Sequence, residues 1–515
     1  MTSFYEELNK RDVISDEAEN RQSRQKADKW IFGILLSIIG FMPLIIMGDI
    51  EEIISPLVTT NGLLTSGVKG ELFTSYKALY LVVATIIAAA ILLAKIFFMN
   101  GTIRKSIFNY ALGIFAVMIV LSTIFSPNIS IAMSGQYNRS DGAMSWLCYT
   151  ALMFIAMNIE YPKKVVTYVT YAFYPFVLIN FVIITMNFYG HDLLQRGWMQ
   201  TLTSLFLPEG ASLGSGSEIV GTLNQWNYMS GMFAVMAILF LAWAIVDEHL
   251  VRSIISMVMA VISAAVMLMA LSTSGFLALV VTMIFILFLV VKVTNKKRAI
   301  GILLGFIILS AGAMHTLANE NHHIWDESFG FFVDSNPYKE VAATVSIGDI
   351  FESKAYASDE VLELPVLPEA AWAPGTGRFY IWEKTLDLVK ERPLVGYGLD
   401  SIMYNFPHYN IDARGGNYDE KTIVDKPHNT YMGILYGTGI FGILALLFII
   451  AGVSLMAIKQ IVTKNALKLG VFMTAIIAFA VQALFNDSLP GMTSVLFVLM
   501  GILVVMLKDT QQVNE

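Results

Sequence analysis

Long runs of apolar residues, separated by short polar segments, dominate this sequence. Most runs have about the length, roughly 20 residues, that an α-helix needs to cross a bilayer. By this rule we predict about 12 spans, near residues 30–49, 78–98, 107–125, 145–159, 165–189, 228–247, 253–271, 276–292, 299–318, 430–457, 469–486 and 493–507. The fourth and the last are short. The pattern therefore predicts an all-α polytopic membrane protein.

One polar stretch is far longer than the other connections between apolar runs. We accordingly divide the chain into a tail at 1–28, nine spans with short loops in 29–318, a large loop at 319–428, three spans in 429–507 and a tail at 508–515. A loop of this length is too long to be a mere connector, so we expect it to contain helices of its own.

Basic residues favour one side of the predicted spans, the side of the N-terminal tail. They are Arg104, Lys105, Lys163, Lys164, Arg252, Lys292, Lys296, Lys297, Arg298, Lys459, Lys464, Lys468 and Lys508. By the positive-inside rule we predict a multi-pass protein of the cell membrane, with both termini cytoplasmic and the large loop outside. Lys95, near the cytoplasmic end of the second span, is expected to snorkel to the surface.

Composition agrees with a membrane protein and excludes two other classes. The chain is 56% hydrophobic and only 14% charged, with a mean hydropathy of +0.64. The net charge of -7 argues against nucleic-acid binding. A single cysteine, Cys148, excludes an intramolecular disulfide framework.

The candidate chemistry lies late in the large loop. Apolar residues at helical spacing follow a glycine-rich segment, which places Arg378 in the first turn of a short amphipathic helix. Thr376 is a plausible N-cap, and Pro393 ends the helix. A glycine-rich approach, a helix start and an arginine favour an anion site. The alternative is a surface salt bridge from Arg378 to Glu383 or Asp387.

A second candidate lies at the end of the loop, where His428 follows Pro427 and a long apolar helix begins. The positive end of a helix favours the neutral form of an imidazole, which suits a general base. Capping of the helix, beside Asn429, explains the same position, and the residues alone leave both interpretations open.

Together these segments resemble the signature region of the O-antigen ligase and Wzy-type polymerase superfamily, over about 70 residues. The matching positions are Gly377-Arg378-x-x-x-Trp382, the segment 393–398, His428-Asn429 and Gly439-x-x-Gly442. The resemblance implies a bacterial membrane glycosyltransferase that takes a glycan from undecaprenyl diphosphate on the outer face of the membrane. The acceptor would be a glycan, a lipid or a polymer, and no cofactor or metal is implied.

The resemblance also implies roles for particular residues. His428 would be the catalytic base, and Arg378 would bind the diphosphate. Asn429 and Asn224 are candidates for binding the substrate, although helix capping explains Asn224 equally well.

One departure from the superfamily concerns a second arginine. Many relatives carry it in an outer Ser-Arg-Gly turn, but here Gly275 follows Ser274 directly. Arg139 or Arg196 would then have to supply it. For Arg139 the alternative is a local ion pair with the nearby Asp141.

A metal site and a transport function are the two alternatives. His322 and His323, close to Asp326 and Glu327, suggest a metal, but adjacent histidines are poorly spaced to share one ion. A secondary transporter or flippase would place ionisable residues at mid-membrane, often in broken helices. Here the spans are nearly free of charge, which favours a transferase. Polymerase and ligase, the sugar and the acceptor stay open.

Overall fold

The apolar runs form helices because a bilayer offers no partners for backbone polar groups, and a helix satisfies them internally. The computed structural model describes residues 2–53, 55, 65–208, 221–223, 225–333, 335–339, 368–419 and 422–512. Its α-helices are α1 (Thr2–Gly40), α2 (Ser75–Phe98), α3 (Ile107–Ile124), α4 (Ile129–Ser134), α5 (Ala143–Met157), α6 (Val165–Ala172), α7 (Tyr174–Phe188), α8 (Gly197–Thr203), α9 (Trp226–Val246), α10 (Leu250–Met269), α11 (Thr273–Lys292), α12 (Lys296–Glu320), α13 (His323–Asp326), α14 (Arg378–Glu391), α15 (Thr430–Lys464), α16 (Leu469–Gln482) and α17 (Pro490–Gln512).

The remaining regular structure is short. Single 3-10 turns lie at Met42–Leu44, Leu193–Gln195, Phe329–Phe331, Ile402–Tyr404 and Ile411–Gly415. Two strands, β1 (Asp49–Ile53) and β2 (Gly67–Glu71), pair antiparallel. The hydrophobic pattern did not predict this hairpin, because its strands are rich in charged residues and glycine.

The number of spans agrees with the sequence. In the described part of the chain, 10 helical segments are long and apolar enough to cross a membrane, and two shorter apolar helices, α5 and α16, accompany them. One of the 10 is α6 and α7 together, which run as Val165–Phe188. The predicted all-α polytopic fold is confirmed.

Several predicted spans have different limits, and the first and the last show the physical reasons. The first ends at Gly40 instead of residue 49, because Pro43 follows in a 3-10 turn and the chain then enters β1. The last, predicted to be short, is α17 with 23 residues. It begins at Pro490, a residue suited to the first turn of a helix. It also continues beyond the apolar run into polar residues, which a prediction based on hydropathy leaves out of the span.

Helix α9 lies at the centre of the bundle. It is apolar on all sides, and its entire apolar window is buried. A helix that is apolar on all sides can be buried only when other helices surround it, and α10, α11 and α16 pack directly against α9. Its first turn carries Tyr228, which the packing holds beside the polar residues described below.

Lys95 does not snorkel as predicted. Its ammonium group is buried and lies 2.5 Å from Asp28 Oδ1 on α1, and it also donates to the Asn158 carbonyl at 3.0 Å. Solvation of the charge by a carboxylate within the protein makes the route to the surface unnecessary.

The segment 393–398 is held in a break of helix α15. At Gly439 the backbone leaves the helix with φ 72°, and a Cβ there would overlap the Leu394 carbonyl oxygen. Three backbone bonds close the break, from Tyr397 N to Tyr436 O (2.9 Å), Gly398 N to Gly437 O (3.0 Å) and Ile440 N to Pro393 O (2.9 Å). The large loop is thereby fixed to a membrane span.

The orientation of the protein is a testable prediction. In a Cys148→Ser background, Ala370→Cys is expected to react with a membrane-impermeant maleimide in intact cells, whereas Thr294→Cys is expected to react only after lysis. Both native side chains are exposed, so reactivity reports the side of the membrane. The opposite labelling would show that the large loop faces the cytoplasm.

Candidate functional site

Helix α14 begins at Arg378 and ends at Glu391, as the spacing and Pro393 predicted. The predicted cap was wrong, since the N-cap is Gly377 in the left-handed region with φ 82°. Thr376 is itself left-handed with φ 56°, and its hydroxyl donates to the Gly375 carbonyl. Consecutive left-handed residues turn the chain sharply, which capping preferences alone do not reveal.

The guanidinium of Arg378 is half-buried and has no partner among the residues that the structure describes. It makes no hydrogen bond or ion pair with any residue in the described ranges. The salt bridges weighed as an alternative do not form, because Glu383 and Asp387 contact Lys384 and Lys390 instead. Burial lowers the pKa of Arg378, and the carboxylate of Asp487 acts in the opposite direction. A half-buried arginine without a partner can accept an anion.

The backbone at the start of α14 contributes less to an anion site than predicted. Arg378 N–H donates to the Gly375 carbonyl at 3.2 Å, and Phe379 N–H donates to the Pro374 carbonyl at 3.4 Å. With these two groups occupied, the side chain of Arg378 is the main donor that this end offers.

His428 lies beside a carboxylate. Its Nδ1 is 3.4 Å from Oδ2 of Asp487, which belongs to the turn between α16 and α17, and its side chain is 33% exposed. Oδ2 has no hydrogen-bond partner among the described residues. The separation exceeds an ordinary hydrogen bond, but such contacts often tighten only when substrate is bound. The pair has the arrangement of a base and the acid that orients it.

Asp487 is ionised at neutral pH. Burial alone would raise the pKa of this carboxyl, but His428, Lys426 and Arg139 outweigh burial and hold the pKa below its usual value. An ionised Asp487 stabilises a positive imidazolium on His428.

Asn429, and not His428, caps helix α15. Its Oδ1 accepts a hydrogen bond from Met432 N at 3.1 Å. The backbone of His428 is left-handed with φ 52° and lies outside the helix. Its ring does not cap α15, which was the alternative to a catalytic role. A side-chain bond joins the two ends of the candidate region, because Trp382 Nε1 on α14 donates to the Pro427 carbonyl at 2.8 Å.

Arg139 is buried between two carboxylates. Its Nε donates to Asp400 Oδ1 at 2.7 Å, and its Nη1 donates to Asp425 Oδ2 at 2.8 Å. Burial would lower the pKa of Arg139, but Asp400 and Asp425 raise it above its usual value. The expected local pair with Asp141 is absent from these contacts. Arg139 therefore joins three loops and offers little to an incoming diphosphate.

Lys426 is a buried cation that the sequence analysis did not consider. Its Nζ donates to the Tyr228 hydroxyl at 3.1 Å and to Gln225 Oε1 at 3.3 Å. Burial would lower the pKa of Lys426, whereas Tyr228, Asp425 and Asp487 raise it above its usual value. The signal was its position two residues before His428. Asp487 was also missed, although it is the carboxylate in a short polar break before Pro490.

Arg139, Lys426 and Asp487 line a cavity with about 450 Å³ of empty space, including its open mouth, whereas Arg378 and His428 are not among its lining residues. The charged and hydroxyl-bearing residues on its wall are Arg139, Asp141, Asp400, Lys426, Thr430, Tyr436, Asp487 and Ser488. Asp141 accepts hydrogen bonds from Trp146, Tyr149 and Ser488, while burial raises its pKa to about 7. We call this space the charged cavity.

Other predicted residues are not brought to this cavity. Arg196 is exposed at the N-cap of α8, and Asn224 lies outside the described residues. Gly275 lies where α11 packs on α9, since a Cβ there would overlap the Ser230 carbonyl oxygen. Neither Arg139 nor Arg196 is therefore as well placed to bind a diphosphate as Arg378.

The histidine cluster is closer together than expected. Potential ligand atoms of His322, His323 and Asp326 all lie within 4.8 Å of one another, so the argument from their spacing was wrong. Asp326 already accepts hydrogen bonds from Asn336 at 2.9 Å and contacts the Lys339 ammonium at 3.2 Å. A metal would have to compete with that ammonium group for the carboxylate.

Fold and site together define a polytopic membrane protein with a histidine–carboxylate pair and with an arginine that is unpaired in the described part of the chain. Residues 258–447 match the O-antigen ligase family. This match supports the resemblance of the chain to the O-antigen ligase and Wzy-type superfamily. The matched region includes Arg378 and His428. No curated protein matches the sequence significantly.

Proposed function

We propose that this protein transfers or polymerises a glycan carried on undecaprenyl diphosphate, at the outer face of the cytoplasmic membrane, in cell-surface polysaccharide biosynthesis. The observation that carries the proposal is the His428–Asp487 pair in the neighbourhood of the unpaired Arg378. A base and a diphosphate-binding cation are the two groups that direct glycosyl transfer from a diphosphate requires.

Arg378 stabilises the leaving group. As the bond between the anomeric carbon and the diphosphate breaks, negative charge grows on the diphosphate oxygens, and a preorganised guanidinium neutralises it without a metal. Lys426 on the wall of the charged cavity adds positive potential. The diphosphate stays on the polyprenyl carrier as undecaprenyl diphosphate.

His428 activates the acceptor. Because Nδ1 faces Asp487, we assign Nε2 as the atom that removes the hydroxyl proton while the acceptor oxygen attacks the anomeric carbon. Direct attack inverts the anomeric centre and forms no covalent enzyme intermediate. The substrate-binding roles of Asn429, Asn224 and Arg196 stay predictions. Asn429 has its side-chain nitrogen available, since only Oδ1 is used by the cap.

A transporter or flippase is the second candidate, and the break of α15 at Gly439 favours it, since broken helices often form transport sites. In such sites the freed carbonyls bind the substrate or ion. Here the carbonyls of Tyr436 and Gly437 accept hydrogen bonds from the 393–398 segment instead. The break therefore anchors a loop, and the transferase is the better supported function.

Reconstitution tests the proposal. Purified protein in liposomes receives an undecaprenyl-diphosphate glycan and an acceptor, with divalent metals chelated. We expect a glycosylated acceptor and one undecaprenyl diphosphate released per transfer, both measured by mass spectrometry. Movement of the intact donor across the bilayer without a product would identify a flippase. Activity that disappears on chelation would return attention to a metal site at His322 and His323.

A further inference from the structure

Three potential metal ligands come together where helix α12 leads into α13. His323 and Asp326 are the first and last residues of α13, and His322 is its N-cap with helical backbone. Residues three and four positions apart lie on one face of a helical turn, so both histidines can face the aspartate. None of the three lines the charged cavity, and the proposed transfer reaction uses none of them.

The distances between the ligand atoms suit a tetrahedral ion. Oδ2 of Asp326 lies 3.3 Å from Nδ1 of His322 and 3.5 Å from Nδ1 of His323. Zinc binds imidazole nitrogen and carboxylate oxygen at about 2.0–2.1 Å, which places two tetrahedral ligand atoms about 3.3 Å apart. Both contacts with the carboxylate therefore already have the length of a tetrahedral edge. The two imidazole rings are partly exposed, so they can rotate to bring their nitrogens to the same ion.

A cation already contacts the same carboxylate oxygen. The ammonium group of Lys339 lies 3.2 Å from Oδ2 of Asp326, the atom that faces both imidazoles. Lys339 is exposed, and an exposed ion pair contributes little to stability, so water can take up the displaced ammonium group. The other oxygen, Oδ1, accepts a hydrogen bond from Asn336 at 2.9 Å. This bond holds the carboxylate in place during such an exchange.

We propose that His322, His323 and Asp326 bind a divalent transition-metal ion of the Zn²⁺ class, which displaces Lys339 from the carboxylate. Imidazole and carboxylate together suit Zn²⁺, whereas Mg²⁺ and Ca²⁺ prefer sites made of oxygen alone. Glu327 does not contribute, because its Oε2 accepts hydrogen bonds from the backbone and hydroxyl groups of Thr273. Water completes the coordination.

The bound ion stabilises the turn that leads from α12 into the large loop. It takes no part in glycosyl transfer, so the inference is independent of the proposed function.

Direct binding of Zn²⁺ tests the inference. The full chain is purified in detergent without a polyhistidine tag, stripped with a chelator and titrated with Zn²⁺ in competition with a chromophoric chelator. His322→Ala, His323→Ala and Asp326→Asn are each expected to raise the Kd at least about 10-fold, since even indirect partners of metal ligands contribute this much. The matched control is His191→Ala, at another exposed histidine, which is expected to bind Zn²⁺ like wild type.

Lys339→Ala is expected to have the opposite effect. Without the ammonium group that competes for Asp326, the Kd for Zn²⁺ is expected to fall about 2- to 5-fold, the usual contribution of an exposed ion pair. An increase in the Kd would show that Lys339 supports the site, which contradicts an exchange of the two cations.

Two further results would overturn the inference. A wild-type protein that binds no Zn²⁺ at submillimolar concentrations would show that the three side chains form only a local ion pair. A variant with both His322→Ala and His323→Ala that binds Zn²⁺ like wild type would place the ion elsewhere. Neither measurement requires turnover, so a protein that binds Zn²⁺ but transfers no glycan would refute the proposed function alone.

Discussion

Replacing His428 by asparagine or glutamine is expected to lower kcat about 10²- to 10⁴-fold, the usual contribution of a general base. Neither amide can accept the proton of the acceptor hydroxyl. Asparagine is the sharper variant, because the backbone of His428 is left-handed with φ 52° and asparagine tolerates that conformation well. Loss of activity in this variant reports the missing base and not a strained loop.

Binding measurements separate catalysis from structure. His428→Asn is expected to keep its melting temperature and its Kd for undecaprenyl diphosphate, because Arg378 and the cavity are unchanged. Asp487→Asn is expected to lose activity to a smaller extent, since His428 stays in place but the imidazolium loses its ionised partner. A His428→Asn protein that turns over like wild type would show that the base is elsewhere.

Local patterns revealed the architecture. Apolar length predicted the spans, and the spacing after Gly377, with Pro393 beyond it, predicted α14 within its true limits. The spans and α14 follow from hydrophobic periodicity and from the conformational limits of single residues such as proline. Both can be read from residues that are close together in the sequence. The hairpin β1–β2 escaped because its charged strands have no apolar face.

The site depended on pairings that sequence spacing does not encode. Arg139 and Asp400 are 261 residues apart, yet they form one buried ion pair. The same holds for His428 and Asp487, which α15 and α16 separate. A sequence shows that charges exist near helix ends, but the packing of helices decides which charges meet.

Long-range pairing also explains why only one of the two candidate arginines is available to a ligand. Arg378 and Arg139 both lie in polar segments beside spans, and the sequence offered both as diphosphate ligands. Only the structure shows that Asp400 and Asp425 already occupy Arg139, whereas Arg378 is unpaired among the described residues. The presence of an arginine in a polar segment is therefore a poor guide to whether its guanidinium is available to a ligand.

Arg378→Ala and Arg378→Lys are expected to reduce kcat/KM about 10²- to 10³-fold, the cost of removing one preorganised donor from a developing anion. Lysine keeps the charge but lacks the planar fork that binds two phosphate oxygens, so it restores little. We expect the variants to keep the wild-type melting temperature, because the guanidinium makes no hydrogen bond or ion pair with a described residue.

Two other arginines provide the comparison. Arg139→Ala removes the cation that both Asp400 and Asp425 contact, so the variant is expected to unfold at a lower temperature. Arg196→Ala is expected to keep the wild-type melting temperature, because that side chain is exposed at the N-cap of a short helix, so a raised donor Kd in this variant would report substrate binding. Melting temperature, donor Kd and transfer rate measured on all three variants distinguish the roles. If Arg378→Ala folds and transfers glycan at the wild-type rate, Arg378 is a surface residue and the diphosphate must be held by Lys426 or by Arg139 after its release from the two carboxylates.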